Sequence, residues 1–174
     1  TGRAKLNLDT MKPNITFINI KTKNIVQSHE LPEDLNMLSL RHMDIDPHGR
    51  IFVGVQIQDP SLKDEALFYE VTDKGLIALA EPEAGWQVFN GYIGSVSANK
   101  EAVSVTSPRG QILHQWFHDG RQASFSIDDV CGLARTKENG FLITSGKGDI
   151  QNFATQQKVK ADLHFDNHCT FIEI

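Results

Sequence analysis

The feature that most constrains this chain is a strand–turn–strand unit that recurs along it. One copy reads Met43–Asp46, a turn at Gly49, then Ile51–Val55. It returns as Val96–Ala98, Lys100 and Val103–Thr106, and again as Leu133–Arg135, Gly140 and Phe141–Thr144. A second unit alternates with the first: Phe17–Asn24, then Phe68–Gly75, then a looser copy in Leu113–Phe117 followed by His118-Asp119-Gly120-Arg121. Inside the units apolar and polar residues alternate, as in Ile15-Thr16-Phe17-Ile18-Asn19-Ile20, which is the period of a half-buried strand. Pro47-His48-Gly49, Asp73-Lys74-Gly75, Asp119-Gly120 and Asn139-Gly140 supply the turns between them. Helical periodicity is confined to a short stretch around Ser61–Glu65, which reads equally well as loop.

Two alternating units give four strands in roughly 40–45 residues, the size of one propeller blade. The expected fold is therefore all-β: a partial β-propeller of four-stranded antiparallel blades, about half of a ring. Residues 15–31 read as the two outer strands of one blade, 39–81, 92–127 and 129–160 as three full blades, and 168–174 as the inner strand of a closing blade. The whole stretch 1–174 is then one domain fragment that starts and stops in mid-blade. Open sheet edges follow, and these favour pairing with a missing N-terminal half or with a second copy.

Composition enters by exclusion. A net charge of -5 without any Lys/Arg stripe argues against nucleic acid as a partner. No apolar run approaches the roughly 18 residues of a membrane helix, so no membrane span is expected. Two cysteines, Cys131 and Cys169, are too few for a disulfide scaffold and lack zinc-ribbon spacing. The chain opens at Thr1 with neither Met nor an apolar leader, so we expect a removed leader or a start inside a longer protein.

The inner strand of each blade lines the central channel. Aligning the repeats puts His42, Ser95 and Gly132 at one level of the channel mouth, with Arg41, Gly94 and Cys131 just before them. His168 joins that level if the last strand is an inner one, under a shift of 36 residues; a shift of 38 instead matches Cys131 to Cys169, and the sequence does not choose between the two registers. Imidazoles converging on an axis suit a transition metal such as iron, copper or zinc. His42, His168 and Cys131 are the candidate ligands, set against a plain role in strand hydrogen bonding. Cys131 reads as a thiolate ligand, a disulfide partner of Cys169, or a small buried residue. His29, His48, His114 and His118 fall in turns or outer strands and are expected to be solvated. Arg109, in the turn Ser107–Gly110, is a candidate for holding a carboxylate or phosphate, or for a structural salt bridge. Trp86, with Phe89 and Tyr92, forms either a docking surface or a cap on the core of its blade. Asp44–Gly49 lacks the third and distal ligands of a calcium loop, and Ser145–Gly148 lacks the spacing of a phosphate loop, so both read as turns.

Several short motifs, taken in order, resemble the C-terminal half of a bacterial family. These are Gly2–Met11, Arg41-His42, Thr106–Gly110, Val130-Cys131-Gly132, Thr144–Gly148 and Asp166-Asn167-His168. The family comprises twin-arginine-exported, propeller-like proteins carrying a domain of unknown function. The resemblance implies a seven-bladed ring, a periplasmic location and, because such genes sit beside imelysin-like and other iron-uptake genes, a part in iron acquisition with periplasmic iron-uptake proteins as partners. It also adds Asp166 to the candidate binding residues, next to His168. The functional expectation is a non-catalytic periplasmic propeller that binds a partner protein or a metal. The alternatives are a metal-dependent enzyme with its site at the channel mouth, using His42, Arg41 and His168, and a pure interaction scaffold.

Overall fold

A computed structural model describes residues 8–170 and Ile172. Three four-stranded antiparallel sheets follow one another along the chain, each a simple meander. The first contains β3 (Leu38–Ile45), β4 (Ile51–Ile57), β5 (Phe68–Thr72) and β6 (Gly75–Ala78). The second contains β7 (Ser95–Ala98), β8 (Ala102–Ser107), β9 (Ile112–Phe117) and β10 (Gln122–Ser126). The third contains β11 (Val130–Arg135), β12 (Phe141–Ser145), β13 (Asp149–Asn152) and β14 (Lys158–Lys160). A two-stranded sheet, β1 (Asn14–Ile18) with β2 (Ile25–Glu30), precedes them. Among the described residues the helical pieces are four 3-10 turns, at Leu8–Thr10, Glu33–Leu35, Pro60–Leu62 and Trp86–Phe89. The first strands of successive full sheets lie side by side, β3 against β7 and β7 against β11. This is a partial propeller with its inner strands gathered round an axis.

The middle sheet explains why its sequence does not alternate cleanly. It is covered on both faces, so β7 and β8 are buried along their whole length. Small hydroxyl residues fill these strands because their oxygens can be satisfied across the blade interface. Ser95 Oγ donates to the Leu133 carbonyl at 3.4 Å, Thr106 Oγ1 donates to the Cys131 carbonyl, and Ser107 Oγ donates to the Phe89 carbonyl at 2.7 Å. Between the first and second sheets the core centres on Phe52, Phe68, Phe89, Ile93 and Trp116. A smaller core joins the second and third sheets through Leu113, Val130, Leu133, Phe141 and Ile143.

Two sequence expectations change here, and a third is narrowed to one of its alternatives. His114 is 1% exposed rather than solvated. It sits on β9, where both sheet faces are covered. Trp86 caps the core and is 5% exposed, so it offers no docking surface. Gly85, at φ 81, turns the chain into the Trp86–Phe89 helical turn, and the indole stacks on Trp116 at 6.1 Å. Finally, residues 168–170 lie in no strand. They belong to a segment that crosses the channel mouth, and Phe171, Glu173 and Ile174 of the expected closing strand lie outside the described residues, as does most of the Gly2–Met11 motif.

A candidate site at the channel mouth

The mouth is shaped by bulges in the inner strands. The β3–β4 register slips by one residue between Leu40 and Met43, leaving Arg41 and His42 opposite Gly54. The β11–β12 register slips in the same way between Val130 and Leu133, leaving Cys131 and Gly132 opposite Thr144. In the blade between them, the Gly94 N–H donates to the carbonyl of Thr106, which is also the pairing partner of Ser95. A bulge re-aims the side chains of its doubled residues and commonly marks a functional rim. Gly54 is required because a Cβ there would lie 2.5 Å from Ile93 Cγ2.

A segment without strand structure, residues 161–170, runs across this rim from the third sheet to the first. The His164 ring nitrogen Nδ1 donates to the Gly146 carbonyl at 2.7 Å, and Asn167 Nδ2 donates to the Tyr92 hydroxyl at 2.8 Å. His168 then meets His42, with ring centroids 4.9 Å apart and planes tilted by 51°. His42 is half-buried and His168 exposed. Burial lowers the His42 pKa, and the charges of His168 and Arg41 lower it further. His42 is therefore neutral at pH 7. Its tautomer follows from Gln56, whose amide nitrogen donates to the Ile93 carbonyl at 3.2 Å and lies 3.3 Å from His42 Nε2. An amide nitrogen cannot accept, so Nε2 carries the lone pair and Nδ1 the proton.

Two cavities flank the pair. One, of about 170 Å³, lies within the channel between Met43, Asp44, Ser97, Leu133, Arg135 and Cys169. Its wall is polar and tightly tied. Asp44 Oδ2 accepts the Ala98 N–H at 2.9 Å and the Ser97 hydroxyl at 3.3 Å, and Arg135 Nη1 reaches from the third sheet to the Ile45 carbonyl at 3.2 Å. The second cavity, of about 310 Å³, opens between Tyr92, Arg109, Asp129, Cys131, Phe165 and Asp166. Arg109 is exposed and its guanidinium lies 4.4 Å above the Tyr92 ring. That contact, a cation over an aromatic face, fixes the arginine that was expected to hold a carboxylate or phosphate, or to form a structural salt bridge, at the edge of this cavity.

The residues expected to act together thus divide. His42, His168 and the exposed Arg41 form one group, while Arg109, Asp166 and Cys131 border the second cavity. Among the described residues no three His, Cys, Asp or Glu side chains are placed to hold a metal ion. In particular, Cys131 does not join His42 and His168; its thiol donates to the Thr144 and Phe165 carbonyls, each at 3.5 Å. Cys131 and Cys169 are both free thiols. Asp44–Gly49 is the end of β3 and the turn into β4, in which the buried Asp46 accepts the backbone N–H groups of His48 and Arg50 and pairs with the Arg50 guanidinium at 2.7 Å. Ser145–Gly148 is the last residue of β12 and the turn into β13. Sequence reasoning passed over Gln56 and gave Tyr92 and Asn167 no part in positioning the histidine pair and the crossing segment, which is what they do here. Their roles depend on contacts between residues 37 and 75 positions apart.

Comparison with solved structures agrees on the fold. The chain is similar to virginiamycin B lyase from Staphylococcus aureus in its selenomethionine-substituted form, with TM-score 0.59 and 13% identity over 85% of this chain and 48% of that one. It is likewise similar to the catalytically inactive form of that enzyme with quinupristin, with TM-score 0.61 and 14% identity over 88% and 50% of the two chains. A streptogramin B lyase gives TM-score 0.54 and 11% identity over 84% and 47%. The chain spans about half the length of these structures, and at such identities the likeness is one of fold alone. No curated protein matches it in sequence. One family model does, over residues 1–172, described as a protein of unknown function, DUF1513. The chain belongs to the DUF1513 family.

Proposed function

We propose that this propeller is a non-catalytic binding module whose channel mouth takes a transition metal through His42 and His168. The observation that carries the reading is the 4.9 Å approach of the two rings at a bulged rim. A neutral imidazole is what iron, copper or zinc requires, and the lowered pKa of His42 supplies one. The metal takes the Nε2 lone pair now engaged by Gln56, which keeps its bond to the Ile93 carbonyl. Two side chains are too few for a closed site. The remaining ligands come from other blades of a complete ring or from a partner protein. We propose for it the periplasmic location and the service in iron acquisition that the resemblance to exported propeller proteins implies.

Elemental analysis after loading with iron, copper or zinc tests this reading. Near-stoichiometric metal in the native protein that is lost in His42→Ala or His168→Ala supports it. No metal after loading refutes it, and leaves the docking of another protein as the function of this face. A second reading, an enzyme at the same mouth, is favoured by the likeness in fold to lyases. It predicts turnover of a small molecule that His42→Ala abolishes.

A further inference from the structure

We propose that Cys131 and Cys169 form a thiol–disulfide exchange pair that, when oxidised, latches the crossing segment 161–170 over the channel mouth. The two thiols share one hydroxyl: Cys131 Sγ lies 3.6 Å from Thr144 Oγ1 and Cys169 Sγ lies 3.7 Å from the same oxygen. Thr144 also fixes the bulge by accepting the Gly132 N–H at 3.1 Å. Gly132 leaves the space: a Cβ there would stand 2.6 Å from Cys169 Sγ. Cys131 is anchored on an inner strand and 3% exposed. Cys169 is half-buried on a segment with no strand ladder, so it is the partner able to move to bonding distance.

The two sulfurs have different parts in the exchange. Cys131, 3% exposed, is closed to an external disulfide, whereas Cys169 is half-buried and within its reach, so Cys169 attacks first. Its thiolate displaces one thiolate from a small external disulfide such as glutathione disulfide, giving a mixed disulfide. Cys131 then attacks the Cys169 sulfur, and the second glutathione leaves. The cysteine pair loses two electrons and two protons, and the oxidant gains both as two thiols. The bond joins the crossing segment to the third sheet and holds His168 beside His42. The latch closes whatever the mouth binds.

The test is incubation of the native chain with glutathione disulfide, followed by intact mass and peptide mapping. The expected product has lost two hydrogens, yields a linked peptide containing Cys131 and Cys169, and reverts with dithiothreitol. Cys131→Ser should stop at one glutathione on Cys169, and Cys169→Ser should remain unmodified. Gly132→Ala, if folded by thermal denaturation, should slow closure by about tenfold or more because it displaces Cys169. Hydrogen exchange across 161–170 should fall in the oxidised form. A glutathione adduct that persists on Cys169 in the native chain, or a linked peptide that appears only in denaturant, overturns the proposal. So does an unchanged closure rate in folded Gly132→Ala.

Discussion

His114 makes the stability of this protein depend on pH in a way that can be calculated. Its neutral form is fully satisfied inside the second sheet. Nε2–H donates to Gln122 Oε1 at 3.1 Å, and Nδ1 accepts the Ser124 hydroxyl at 2.7 Å. The ring packs against Trp116 at 4.2 Å and against Phe89 at 6.0 Å. A second proton would sit on Nδ1 and turn the Ser124 hydroxyl from donor to acceptor, but it would also place an uncompensated charge in the buried interior of the sheet. Burial accordingly lowers the pKa from 6.5 to about 4. The unfolded chain takes up this proton at pH values where the folded chain does not. The contribution is thus complete above the unfolded value and is lost as pH falls from 6.5 towards 4. At about 1.36 kcal/mol per unit, the loss is about 2 kcal/mol by pH 5 and about 3 kcal/mol below pH 4. Urea unfolding from pH 7.5 to 4.5, on the native chain and on His114→Gln, isolates the effect, because other titrating groups cancel in the difference. The native protein should lose about 2 kcal/mol more than the variant between pH 7.5 and 5. Parallel curves would refute the assignment of a buried, neutral His114.

Other consequences concern packing. Trp86→Ala should cost about 3–5 kcal/mol in denaturant unfolding, because it removes a capping indole from the stack with Trp116 and Phe89; a cost below about 1 kcal/mol would mean that the side chain is not part of the core. Gly54→Ala should cost about 1–3 kcal/mol, since its Cβ overlaps Ile93 beside the Arg41-His42 bulge. The same unfolding assay reads it, and a neutral result would show that the bulge yields freely.

The sheet architecture was legible because its causes are local. Period-two alternation, Gly-containing turns and a repeat of about 40 residues each act within a few residues of chain, and together they exclude a helical fold. The site was legible only in part. Aligning the repeats offered His42 and His168 as one level under one of two registers, but the distance between their rings depends on the Arg41-His42 bulge and on the crossing segment. Bulges leave little trace in sequence, since one extra residue does not alter composition. For a related reason His114 was expected to be solvated, and Trp86 stood between a docking surface and a core cap. His114 packs against Trp116 and Phe89, and Trp86 against the same two residues, and these contacts come together only in the fold.

By itself the sequence determined an all-β chain built from repeated antiparallel units, because backbone preference and apolar period are set by each residue and its near neighbours. The tertiary structure decided which faces are covered, where the inner strands bulge, and that residues 168–170 cross the mouth without pairing as a strand. A segment becomes a strand only when a ladder partner is presented to it, and the backbone groups of such a partner lie far away in the chain. Contacts of this kind, from His42 to His168 or from Cys131 to Cys169, require loops of tens of residues to close. No local signal records which of the possible closures wins.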